Sequence, residues 1–302
     1  MDLPADRWSK DNLIKVPDAD SNEFTLIEYA GRNWPVFPGL SQRLEEDLAQ
    51  FKARPDDTWI INWPKSGTHW CWEICSMLVS GKAELLQQSK LTAMYPEAVG
   101  NAEIEPMPSP RVLNTHVTPD YFPKEALENS KLIFTVRHPK DVAVSYFYHL
   151  KGIKFYQYET GAWAGYFPVF LEGRGENGDW INHTESWLSV LDDNSNALVL
   201  KFEDLKKDLR KEVQRIAEFL EVSGTDEFYD EVARLCSFDS MKEGKTPGPD
   251  IWRQEASGFF RKGITEDWKH HFTVAQNEEF NRRYRETLKD TIHTKKIGYE
   301  FL

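Results

Sequence analysis

The sequence predicts an α/β fold, a mainly parallel central sheet flanked by helices, and three observations carry that expectation. Short apolar runs alternate with stretches of helical periodicity, polar turns punctuate them, and the composition is that of a globular chain. The 302 residues are 40% hydrophobic and 28% charged, and an α/β unit of this length holds together around one core, so residues 1–302 read as a single domain.

Four runs read as buried strands: Thr58 to Asn62, Arg111 to Thr115, Leu132 to Val136 and Ala197 to Phe202. Helical stretches follow three of them. Trp70 to Val79 comes after the first, Asp141 to Leu150 after the third, and Asp204 to Leu220 after the fourth. In the last of these Leu205, Leu209, Val213, Ile216 and Leu220 share one face. Parallel strands require such crossovers. Pro96 to Pro110, Gly161 to Asp179 and Glu243 to Gly258, which holds Thr246-Pro247-Gly248-Pro249, read as loops or lids.

Charge and cysteine usage exclude several function classes. A formal charge of -12 repels polyanions, so nucleic acid is a poor partner and any anion site must be local. No segment approaches the ~18 uninterrupted apolar residues of a membrane span. Met1 to Arg7 lacks the pattern of a secretory or import signal, which makes the cytoplasm the expected compartment. Cys71, Cys75 and Cys236 are few and odd in number, which argues for reduced thiols. The Cys71-x-x-x-Cys75 pair sits among apolar residues and reads as core packing rather than a metal site.

Three segments gather positive charge. Between the first strand and its helix stands Trp63-Pro64-Lys65-Ser66-Gly67-Thr68-His69-Trp70. A loop that turns directly into a helix aims backbone N–H groups and the positive end of the helix dipole at one point, which suits a phosphate. Gly67 permits close approach, Ser66 and Thr68 add hydroxyls, and Lys65 adds a mobile cation. The lysine precedes the single glycine, unlike the nucleotide triphosphate loop G-x-x-x-x-G-K-[ST], which weakens a kinase or ATPase reading. A plain strand-to-helix turn with a capping Ser or Thr is the alternative.

The octapeptide resembles the P-loop-like phosphosulfate loop of the cytosolic sulfotransferases, P-K-S-G-T-T-W, at every position but His69, where that family has a second threonine. After the third strand, Val136-Arg137-His138-Pro139-Lys140-Asp141-Val142-Ala143-Val144-Ser145 places an arginine at a strand's carboxyl end. It is similar to the family's R-N-P-K-D-x-x-V-S, which implies that Arg137 and Ser145 bind a 3'-phosphate. Near the C-terminus, Arg261-Lys262-Gly263-Ile264-Thr265-Glu266-Asp267-Trp268-Lys269 is similar to R-K-G-x-x-G-D-W-K, with Glu266 in place of the second glycine. The same 3'-phosphate role is implied for Arg261, Lys262 and Gly263. By position Trp70, Phe202 and Phe238 fall where the family packs adenine, although each also reads as a routine core aromatic. The resemblance extends over roughly residues 40–280.

What the resemblance implies is a transferase that uses 3'-phosphoadenosine 5'-phosphosulfate (PAPS), releases adenosine 3',5'-bisphosphate (PAP), and sulfates a hydroxyl or amine of a small acceptor such as a phenol, alcohol, sterol or amine. His116, ending Asn114-Thr115-His116, matches the family's K-T-H and inherits the role of general base, with Lys65 as the second catalytic residue. A histidine titrates near neutrality and can take the hydroxyl proton. Asn114 replaces the family's lysine, and an amide in place of a cation predicts slower turnover or compensation by another cation, Lys65 or the protonated form of His69. No metal is required, because Lys65, Arg137, Arg261 and Lys262 supply the positive charge. Gly178 to Trp187 resembles the family stretch that helps wall the acceptor pocket. Aromatics from Phe147 to Phe167 are expected mostly in the core, with some lining an apolar pocket. Lys269 to Glu278 matches the dimer segment K-x-x-x-T-V-x-x-x-E, which implies a homodimer. The rival readings are a PAPS-using alcohol dehydratase of the same family and a non-catalytic binder of adenine nucleotides or small ligands.

Overall fold

The computed structural model describes residues 11–87, 94–244, 251–253, 256 and 260–299. The first element is one the sequence reading passed over, a three-stranded antiparallel sheet of β1 (Asn12–Pro17), β2 (Glu23–Tyr29) and β3 (Arg32–Trp34), in that order. β2 buries four residues in succession, Phe24 to Ile27, so it lacks the alternation that marks a half-exposed strand.

The central sheet is as expected: four parallel strands, β4 (Thr58–Ile61), β5 (Val112–Thr115), β6 (Lys131–Val136) and β7 (Ala197–Lys201), in the order β5-β4-β6-β7. β4 is central and buried at all four positions, because strands sit on both its edges and helices cover the sheet. Thr58 aligns with Val112 on one side and Lys131 on the other, and Leu132 aligns with Ala197. This register brings the carboxyl ends of all four strands to one rim of the sheet.

The helices Thr68–Ser80 and Pro139–Gly152 contain the stretches read as helical and extend them at both ends. The third expectation needs correction. Asp204 to Leu220 is not one helix but two, Phe202–Lys207 and Leu209–Phe219. The break is at Asp208, whose backbone leaves the helical region and whose side chain accepts the Lys211 N–H, capping a new helix. The apolar face continues across the break, which is why periodicity alone did not reveal it.

Two segments read as loops contain helices. Pro96 to Pro110 holds the short helices Pro96–Val99 and Asn101–Ile104. Gly161 to Asp179 holds Trp163–Leu171, with Pro168 inside it. An interior proline costs about 3 kcal/mol, but burial of Tyr166, Phe167, Val169, Phe170 and Leu171 outweighs this at about 1.5–3 kcal/mol per large side chain. The Thr246-Pro247-Gly248-Pro249 lid and the Met1 to Arg7 terminus lie outside the described residues. Cys71, Cys75 and Cys236 are free thiols buried in the core. Among the described residues no helix is long and apolar enough to cross a membrane, and no cluster of metal-ligating side chains occurs.

Candidate active site

Each parallel strand delivers one group to the same rim: the Lys65–Gly67 loop follows β4, His116 follows β5, Arg137 follows β6 and Phe202 follows β7. A single cavity of about 370 Å³ opens there. Its wall includes Lys65, Gly67, Thr68, His69, Trp70, His116, Arg137, Ser145, Phe202, Phe238, Arg261, Lys262 and Gly263. Of the residues singled out in the sequence as donor-binding or catalytic, Ser66 alone is off the wall, with 1% of its surface exposed.

The loop after β4 is built as an anion cradle. Lys65 (φ 72) and Gly67 (φ 110) take left-handed backbone conformations that wrap the chain into the N-terminus of the Thr68–Ser80 helix. A Cβ on Gly67 would sit 3.3 Å from the Phe202 ring, so glycine also makes room for the aromatic behind it. Thr68 donates its hydroxyl to Asn62 Oδ1 at 2.9 Å, and the Asn62 amide donates to Thr135 Oγ1 at 2.7 Å. The Thr68 hydroxyl proton is therefore engaged with the scaffold, while the first-turn backbone N–H groups have no carbonyl of their own helix to bond.

The three cationic anchors converge although almost two hundred residues separate them. Burial lowers the Lys65 ammonium to about 8, and the charges of Arg137 and Arg261 add to the shift. Arg137 is 7% exposed. It donates to Lys65 O at 3.3 Å and Ile264 O at 3.0 Å and stacks its guanidinium 4.2 Å from the centre of the Phe202 ring. Arg261 lies over the Tyr148 ring at 4.5 Å and pairs with Asp267, which also accepts from Lys262 Nζ at 2.7 Å. Burial alone would raise the Asp267 carboxyl, but the hydrogen bonds from Lys262 and Arg261 hold it below the usual carboxylate value. Asp141 fixes the far end of this segment by accepting from the backbone of Glu266 at 2.7 Å and Trp268 at 3.0 Å.

Glu266 stands at φ 62, the left-handed conformation a glycine takes freely. The loop keeps its course and the side chain bears a cost of about 1 kcal/mol. Gly263, at φ 60, packs under the Phe238 ring so closely that a Cβ would fall 2.0 Å from Phe238 Cδ2. Trp70, Phe202 and Phe238 form the aromatic wall. Trp70 donates to Cys236 O at 2.7 Å and meets Phe202 edge-on at 5.3 Å.

His116 is held from three sides. Its Nδ1 lies 2.8 Å from Asn62 O, which fixes the tautomer with the proton on Nδ1 and the basic lone pair on Nε2. Its backbone N–H donates to Glu97 Oε1 at 2.8 Å, and the same oxygen accepts from Thr115 Oγ1 at 2.9 Å. Its carbonyl lies 3.1 Å from His183 Nε2, a ring that burial lowers to about 4 and keeps neutral. The Gly178 to Trp187 stretch thus serves the site differently from the expectation. Its helix, Trp180–Leu191, does not line the cavity; His183 and Trp187 clamp the backbone of His116 and Val117 instead. Asn114 is fully buried, its amide donating to Met94 O at 3.4 Å.

The donor set fits a ligand with two anionic ends. Among the described residues, the Nε atoms of Arg137 and Arg261, both on the cavity wall, are buried polar atoms without a hydrogen-bond partner, as is Ser66 Oγ in the loop behind it. Sequence reasoning missed Asn62, Glu97, Asp267 and Glu176. Asp267 stood inside a motif already quoted, but the other three carry no local signal, since their roles depend on contacts across the fold.

The sulfotransferase domain family matches residues 55–292 of this chain. The chain belongs to the sulfotransferase family. A sulfotransferase 1B1 of Canis lupus familiaris is 37% identical over 262 residues, covering 82% of this chain and 88% of that protein. Among solved structures, mouse sulfotransferase SULT7A1 complexed with PAP superimposes with a TM-score of 0.74 at 29% identity, over 88% of this chain and 95% of that one. A retinol dehydratase in complex with retinol and PAP superimposes with a TM-score of 0.74 over 96% of both chains. At 18% identity this last likeness concerns the fold of the sulfotransferase alone.

Proposed function

We propose that this sulfotransferase transfers a sulfuryl group from PAPS to a hydroxyl or amine of a small, largely apolar acceptor, with His116 as general base. The orientation of His116 carries the reading: with Nδ1–H given to Asn62 O, the basic nitrogen belongs to a side chain on the same wall as Lys65 and Arg137. PAPS supplies the sulfuryl group and a phosphate leaving group. His116 Nε2 takes the acceptor proton as the new S–O bond forms. Lys65 and the N-terminus of the Thr68–Ser80 helix offset the negative charge that grows on the departing phosphate oxygen. Lys65, Ser66, Gly67, Thr68 and His69 hold the 5' end, while Arg137, Ser145, Arg261, Lys262 and Gly263 hold the 3'-phosphate. Trp70, Phe202 and Phe238 pack the adenine.

The whole chain acts as one domain, in the cytoplasm, and as a homodimer through Lys269–Glu278. Much of that segment is exposed, Val274 at 75%, and the Thr273 capping box fixes its turn into the Val274–Leu288 helix. A dehydratase outcome is not favoured, since the dehydratase likeness is confined to the fold while the closer sequence relative is named a sulfotransferase. Incubation with radiolabelled PAPS and a mixed panel of phenols, alcohols, sterols and amines, followed by chromatography, tests the reading. His116→Ala should lose about a hundredfold or more in turnover while retaining PAP binding. A folded protein without saturable affinity for PAP would overturn the proposal.

A further inference from the structure

Apart from the cationic and aromatic donor wall, the cavity is lined by apolar side chains such as Val36, Phe37, Ile153 and Phe155, and by one carboxylate among the described residues, Glu176. Glu176 is 3% exposed. Tyr156 donates its hydroxyl to Glu176 Oε2 at 2.5 Å, and the Tyr146 hydroxyl accepts from the Glu176 backbone N–H at 3.4 Å. A buried carboxylate on an apolar wall is costly unless a cation compensates it.

Among the described residues, the cation whose charge acts on Glu176 is Lys65, on the same cavity wall, and the mechanism above directs that charge to the donor. Burial raises the Glu176 carboxyl to about 7, while hydrogen bonds from Tyr156 and Tyr146 and the charge of Lys65 pull it down. Once Lys65 is engaged by a bound polyanion, its compensation of Glu176 weakens. A second positive charge is then needed for the carboxylate to stay ionised. The acceptor can bring it, and a protein of formal charge -12 draws small cations toward itself.

We infer that the acceptor is a hydroxyl compound carrying a protonated amine, an aryl or alkyl amino alcohol, and that Glu176 pairs with its ammonium group. The inference rests on the sulfotransferase reading and names the acceptor class of that site. Neutral acceptors of equal size would fill the same apolar walls but leave the carboxylate uncompensated.

Matched acceptor pairs test it: tyramine against para-propylphenol, and aminohexanol against heptanol, each assayed with labelled PAPS. Wild type should prefer the amine of at least one pair by about tenfold in kcat/KM, and Glu176→Gln should remove most of that preference. A preference for the neutral member, or an amine preference that survives in a folded Glu176→Gln, overturns the inference. So does a wild type that binds PAP but sulfates neither amine. Failure to bind PAP at all is a separate result, which would overturn the sulfotransferase reading itself.

If Glu176→Gln does not fold, the wild-type pH profile decides. The amine preference should grow as pH rises through about 7 and Glu176 ionises. Lys65, at about 8, still holds its proton over the lower part of this range. Burial pushes the neighbouring phenols of Tyr146, Tyr156 and Tyr166 well above their ordinary value, so they stay neutral. His149, on the same wall, and His116 act on both members of a pair, and their effects cancel in the ratio unless they touch the amine. A flat or falling ratio overturns the inference.

Discussion

Replacing Gly263 by alanine tests how the C-terminal anchor and the aromatic wall depend on one another. The added methyl would lie 2.0 Å from Phe238 Cδ2 and 2.4 Å from Cε2, far inside contact distance. The backbone at φ 60 adds about 1 kcal/mol, because an L side chain is strained there. The backbone of this segment is pinned by Asp141 at Glu266 and Trp268, so the Phe238 ring must yield. Swinging it out of the wall forfeits its packing on a bound adenine, worth about 1–3 kcal/mol for an aromatic stacked on a base. PAP affinity should therefore fall about 5- to 150-fold, measured by isothermal titration. The melting temperature should fall by only a few degrees, in keeping with about 1 kcal/mol of backbone strain. The double variant Phe238→Ala with Gly263→Ala removes the clash, so it should bind PAP nearly as well as Phe238→Ala alone. Affinity within twofold of wild type in Gly263→Ala, or fully additive losses in the double variant, would refute the argument.

Four further outcomes concern the site and the exposed Lys269–Glu278 segment. PAP affinity should hold while Lys65 is protonated and decline as pH climbs through about 8, whereas Lys65→Arg should hold its affinity beyond that pH; titration calorimetry between neutral and alkaline pH checks this. Stability runs the other way: the unfolded chain keeps the Lys65 proton up to 10.5, so between about 8 and 10.5 deprotonation in the fold relieves the buried ammonium and that group's contribution rises with pH. Asn114 lies two residues before His116, at the position where the resemblance puts a lysine that helps hold the transferring group. Asn114→Lys should therefore raise turnover about fivefold or more, and an unchanged or slower rate would contradict the role given to the missing cation. Val274→Glu, at a side chain 75% exposed in the free subunit, should shift light-scattering mass from dimer to monomer at micromolar concentration; a monomeric wild type would dispose of the dimer.

The amino-acid sequence alone determined the parallel sheet and named many of the residues that meet on the cavity wall. Buried parallel strands declare themselves as short apolar runs, and a phosphate cradle must be contiguous in sequence, because it is made of successive backbone amides at one helix N-terminus. Lys65 to Trp70 was legible for that reason, and Arg261 to Gly263 as two adjacent cations before a glycine. Elements set by packing were not. The β1–β3 sheet, the helix interrupted at Asp208 and the helix that carries Pro168 are choices made by tertiary burial over local propensity. Only the folded chain could show that Asn62 O selects the His116 tautomer, that Asp267 pairs with both Arg261 and Lys262, or that Glu176 shares the cavity wall with Lys65. Each of these depends on two or three groups distant in sequence meeting in a low-dielectric space, and it is burial there, rather than residue type, that sets their charge and hence their chemistry.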